Sequence, residues 1–142
     1  MNDQLAIEFG AMRLEPHSDP KIEMLLGICA ELRISIQNQV WFFEPDFPVV
    51  ELSRAIAKWL EIGGDLEFES MEAAESPFIW VRAVGANCLL GAAWQNFTVT
   101  PNLPCERVRG VLRQFAENVV SSVEEQLHIN VAEIVGLRAG SP

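Results

Sequence analysis

The sequence predicts an α+β fold: a largely antiparallel sheet of about five to seven strands with two main helices packed on one face. Three observations lead there. Two long segments repeat apolar residues at three- and four-residue steps, several shorter ones alternate apolar and polar residues, and the order along the chain is strands, helix, strands, helix. The 142 residues make one ordinary domain with one hydrophobic core.

Leu5 to Leu14 alternates loosely and reads as an opening strand, followed by a turn at Pro16 to Pro20. Lys21 to Ala30 admits two readings. Ile22, Leu25, Leu26 and Cys29 have helical spacing, but a strand pairing with the first one fits equally well, and strand is the reading adopted. Two further strands then flank the polar turn Gln37-Asn38-Gln39, the second of them carrying Val40-Trp41-Phe42-Phe43.

The first main helix is expected to start near Phe47, with Asp46 as its cap and Pro48 in its first turn, where a missing N–H costs nothing. Val49, Leu52, Ile56, Trp59 and Leu60 form its apolar stripe, Glu51, Arg54, Lys58 and Glu61 its solvent side, and Gly63-Gly64 its stop. Leu66 to Glu69 alternates as a strand, Met71 to Pro77 is an acidic turn, and Phe78 to Val81 is a buried strand. A hairpin through Gly85-Ala86-Asn87 leads into Cys88 to Phe97. The second main helix spans Cys105 to Leu127, because Val108, Val111, Leu112, Phe115, Val119, Val123 and Leu127 mark one face over about six turns. Ile129 to Leu137 is read as a final edge strand.

Composition narrows the function. With 49% hydrophobic and 21% charged residues the chain is globular, and no uncharged run approaches the roughly 20 residues of a membrane span. The N-terminus has no basic stretch of a secretory leader, so a cytoplasmic location is expected. The net charge of −10 repels nucleic acid and anionic lipid, whose binding depends on Lys and Arg. Cys29, Cys88 and Cys105 are odd in number and lack a CxxC spacing, which predicts reduced, mostly buried thiols.

No catalytic, cofactor or metal motif is written locally. His17 and His128 stand far apart, and a Cys105–His128 pair would be split by the length of the second main helix, some 30 Å at about 1.5 Å per residue. No glycine-rich phosphate loop occurs. Asp65, Glu67 and Glu69 share one side of a strand, where three carboxylates could hold a cation or serve an acidic pocket. The four tryptophans read first as core, with one or two left as interface anchors.

The charge is concentrated. Between Glu44 and Glu75 nine acidic residues face only Arg54 and Lys58, and that segment accounts for seven of the ten net negative charges. Because it contains a patterned helix and strand, the charge belongs to a folded surface, suited to a basic partner or to solubility alone.

Phe43-Glu44-Pro45-Asp46-Phe47-Pro48-Val49-Val50-Glu51-Leu52, then Trp59-Leu60, the acidic run Glu67 to Glu72 and Gly91-Ala92-Ala93-Trp94-Gln95 form a pattern over roughly residues 32 to 120. It resembles a pattern of small bacterial proteins that are similar to immunity proteins of polymorphic-toxin systems. The chain departs from it at Ala92, where Ser is expected, and at Ala86-Asn87-Cys88, where a Trp is commoner. The resemblance implies an inhibitor that binds one cognate basic toxin domain, with no catalytic residue. The expected contact residues are Glu44, Asp46, Glu67, Glu69, Glu72 and Glu75, with Trp41 or Met71 as apolar anchors. The alternatives are a small enzyme with an acidic, metal-dependent pocket and a homodimeric subunit built on the long helix.

Overall fold

The computed structural model describes residues 5–69, 78–93, 95–97 and 103–137. It is α+β, with two antiparallel sheets of four strands in place of the one sheet expected. In the first, β1 (Leu5–Phe9), β2 (Arg13–Leu14) and β4 (Gln39–Phe47) all pair with the long strand β3 (Ile28–Ile36). In the second, β5 (Leu66–Glu69), β6 (Phe78–Val84), β7 (Asn87–Ala92) and β8 (Leu103–Pro104) lie in sequence order. The opening strand is broken at 10–12, so the single strand expected over Leu5 to Leu14 is two short ones.

The hairpin between β3 and β4 turns at Gln37 and Asn38, both with positive φ (53° and 65°). A two-residue loop of that kind matches the twist of its strands. β4 carries two register shifts. Between the Ile34–Phe42 and Ser35–Val40 pairs Trp41 is the extra residue, and between Leu32–Glu44 and Ala30–Phe47 one residue more than β3 supplies is taken up around Pro45 and Asp46. Proline is tolerated in a strand at such an irregularity. The first shift has a packing consequence: Trp41 and Phe42, although adjacent, are both buried, and only Phe43 turns outward.

Residues 21 to 26 are helical, not extended. α1 (Pro20–Leu26) begins with Pro at its first position, and the Asp19 carboxylate accepts from the backbone N–H groups of Lys21 and Ile22 at 2.9 and 3.4 Å. This cap and the burial of Leu25 and Leu26 decide a segment whose apolar spacing suited both states.

α2 (Val49–Ile62) has Pro48 at its N-cap position and no side-chain cap, because β4 continues to Phe47 and the Asp46 carboxylate pairs with Arg13 of β2 instead. It stops at Gly63 and Gly64, whose φ values of 86° and 80° suit glycine. Its buried face is broader than the predicted stripe: Glu51 is only 7% exposed, because α1 packs against that side of α2.

α3 (Cys105–Leu127) has the predicted bounds, and Val108, Leu112, Phe115, Val119 and Val123 are buried along it. The last element is a helical turn, α4 (Ala132–Val135), where an edge strand was expected. Asn130 Oδ1 accepts from the Ala132 N–H at 3.0 Å, and Val135 is buried.

α2 packs on α3 and touches β3 and β5, while α3 touches β1, β7 and β8, so the paired helices cover both sheets. Buried apolar residues of both sheets and all four helices form one continuous cluster. The sheets are joined by Asn96, whose N–H donates to Trp41 O at 2.8 Å, and by the Phe47–Phe68 ring contact at 5.7 Å.

The cysteines are not all thiols. Cys88 at the start of β7 and Cys105 at the start of α3 are joined in a disulfide, with Cα atoms 5.0 Å apart, and Cys29 is buried. The pairing of Cys88 with Leu103 across β7 and β8 brings the two together.

Candidate functional site

Of the acidic residues expected to meet a partner, the described ones lie on β4 and β5. Phe47, the last residue of β4, packs against Phe68, the middle of β5. Alternation then sets their neighbours outward: Asp46 beside Phe47 is exposed, and so are Glu67 and Glu69 on either side of Phe68. Asp46, Glu67 and Glu69 are thus exposed on strands whose aromatic residues meet in the core, and Glu44 is half-buried two residues up β4. Met71, Glu72 and Glu75 lie outside the described residues.

These carboxylates are not equivalent. Asp46 is paired with Arg13, whose guanidinium also donates to Pro45 O at 3.4 Å. Glu67 lies 3.9 Å from Arg82, which is itself seated over the Trp80 ring at 4.3 Å from its centroid. Glu44 has its carboxyl pushed above the usual range, first by burial and then by the charge of Asp46, with the Asp46 backbone N–H opposing in part. Ion pairs between exposed groups of this kind add little to stability, so both cations can be exchanged for those of a partner.

Trp41 is no anchor. It is 0% exposed, and its indole N–H donates to Phe97 O at 3.0 Å, so the ring belongs to the core. The exposed aromatic residue of β4 is Phe43, 42% exposed and adjacent to Glu44 in sequence, with the Arg33 guanidinium 5.6 Å from its ring centroid. Sequence reasoning missed it because the extra residue at Trp41 shifts which aromatic side chain faces solvent. The run Trp41-Phe42-Phe43 was the available signal, since it requires at least one outward ring.

Asp65 does not join Glu67 and Glu69 as a third free carboxylate; its Oδ1 accepts from the Ala83 N–H at 3.2 Å and fastens β5 to β6. Among the described residues no three His, Cys, Asp or Glu side chains are grouped to hold a metal ion. Cys105 and His128 stand at opposite ends of α3, and the Cys105 sulfur is bonded to Cys88. A groove of about 320 Å³ runs between α2 and β5, where Glu67 and Glu69 face Arg54 and Lys58 and the buried Glu51 forms part of the wall. Among the described residues no helix is long and apolar enough to cross a membrane.

The family described as a domain of unknown function, DUF7878, matches residues 7–125. The chain belongs to this family. The matched span runs from inside β1 into the last turn of α3 and so includes both sheets and the acidic strands, while α4 lies beyond it. No curated protein and no solved structure matches the chain.

Proposed function

We propose that the chain is a protein-binding module that takes a basic partner on the surface formed by Glu44, Asp46, Glu67 and Glu69, and that this partner is a toxin domain which the chain neutralises. The observation that carries the reading is the exposure of Asp46, Glu67 and Glu69, which flank the Phe47–Phe68 core contact in sequence on β4 and β5. An acidic surface of this kind speeds association with a cationic protein and gives complementarity to it. After burial, the Asp46 charge is the second cause that pushes the Glu44 carboxyl up, and a cation from a partner would offset that repulsion. Phe43, adjacent to Glu44 in sequence, supplies an exposed aromatic ring. The toxin as partner rests on the resemblance to immunity proteins alone.

The reading includes a cytosolic location. The Cys88–Cys105 disulfide favours an oxidising compartment instead, and alkylation of free thiols in the protein as taken from cells decides between the two.

The test is binding at low salt from a lysate of the source cells, comparing the native chain with the quadruple variant Glu44→Gln, Asp46→Asn, Glu67→Gln, Glu69→Gln. The expected result is one stoichiometric basic protein, released by salt, that the variant fails to hold and whose toxicity the native chain suppresses on co-expression. Equal capture by both chains would remove this surface from the function.

A further inference from the structure

We propose that the cavity between α2, α3 and α4 is a binding site for a small organic anion, a molecule joining a phosphate or carboxylate to an apolar body. The cavity measures about 410 Å³, a volume typical of small-molecule sites. Arg54 and Lys58 reach it from α2, four residues apart and hence on one face, and Arg113 reaches it from α3. Beneath them the lining is apolar, with Ala57 of α2 and Val135 of α4 both buried.

Three cations in one cavity need a reason in a chain with twenty acidic residues and ten basic ones. Several of the other basic side chains are engaged: Arg13 with Asp46, Arg82 with Glu67, and Arg109 with Leu60 O at 2.8 Å. Among the described residues the side chains of Arg54, Lys58 and Arg113 make no ion pair and no hydrogen bond. Carboxylates are at hand, since Glu61 and Glu133 line the same cavity, and neither lies within ion-pair distance of the three. Like charges four residues apart on a helix repel, and an anion seated between them would relieve that repulsion.

An oxyanion answers that charge. Guanidinium groups present paired N–H donors that match two oxygens of a carboxylate or phosphate, and Lys58 adds a mobile point charge. Glu61 and Glu133 would repel a second anionic group, which restricts the ligand to one charged end and leaves its other end for Ala57 and Val135. Arg54 and Lys58 line both this cavity and the groove along β5, so they stand between the two.

The test is an amide NMR titration with phenylphosphonate and with benzoate at constant ionic strength, with benzyl alcohol as the neutral probe. Saturable shifts at Ala57, Val135 and Gly136 are expected with at least one of the two anions, and none with the alcohol. The tighter anion identifies the headgroup. Arg54→Gln and Arg113→Gln change side chains that make no ion pair or hydrogen bond among the described residues, and each should weaken binding about tenfold, the loss of one charge-assisted hydrogen bond, with a cooperative melting transition retained. Shifts that never saturate, equal binding of the alcohol, or undiminished affinity in both variants would overturn the proposal.

Discussion

The indole of Trp80 covers the backbone of Gly91, its cross-strand partner, so closely that a Cβ on Gly91 would stand 2.0 Å from Cζ2 of the ring. Glycine is required there by space and not by its freedom of φ. The ring cannot step aside freely, because Arg82 sits on it and also reaches Glu67. Gly91→Ala should therefore destabilise the fold by about 1–3 kcal/mol, the usual range for overpacking. Urea midpoints check this, and Trp80→Leu in the same chain should recover part of the loss. Strictly additive effects of the two substitutions would show that the contact is not the cause.

The Cys88–Cys105 disulfide closes a loop with a sequence separation of 17. A cross-link of that span stabilises by about 3 kcal/mol through the unfolded chain. The junction is also held without it, by the Cys88–Leu103 ladder pair and by the Cys105 N–H donating to Ala86 O at 3.0 Å. Reduction should thus lower the urea midpoint and leave a cooperative transition. A midpoint that does not move with reductant, or in Cys88→Ser/Cys105→Ser, would exclude a stabilising bond.

How much of this could be read from the sequence depended on length and on non-local contacts. α3 was legible to its ends because six turns of apolar spacing follow a proline and outweigh any local ambiguity. α1, at seven residues, offers Ile22, Leu25 and Leu26, a set that a strand accommodates as well, and only Asp19-Pro20 tips the balance. α4 is a single turn, too short for any period. The irregularities in β4 and the disulfide leave no periodic or spaced signal, since each is created by a neighbour distant in sequence. For the same reason the acidic charge of the candidate surface was legible, but its pairing with Arg13 and Arg82 was not.

Glu44 makes stability depend on pH. Its carboxyl is raised above the ordinary value of 4.5 by burial and then by Asp46. A raised folded value favours the neutral form, so this group supports folding below the ordinary carboxylate range and that support is lost as the pH rises through the folded value. At neutral pH the ionised Glu44 is a small net cost. Glu44→Gln should raise the urea midpoint at pH 7 and match the native chain near the acid end. Asp46→Asn should bring the Glu44 titration, followed by carboxyl carbon NMR, back toward the ordinary value. A Glu44 that titrates unchanged in Asp46→Asn would show that burial acts alone.

Trp41 and Phe43 separate packing from recognition. Trp41 is enclosed and hydrogen-bonded to Phe97 O, so Trp41→Ala should cost about 3–5 kcal/mol, as large-to-small core changes do. Any loss of binding in that variant follows from loss of fold. Phe43 is 42% exposed, and among the described residues its ring partner is the Arg33 guanidinium. Phe43→Ala should leave stability within about 1 kcal/mol and weaken the basic partner by about tenfold, the effect of a modest interface hot spot. Urea midpoints and binding constants on the same two variants decide the matter. If Phe43→Ala binds as the native chain does, the aromatic ring is not part of the interface and the acidic residues must act without an apolar anchor.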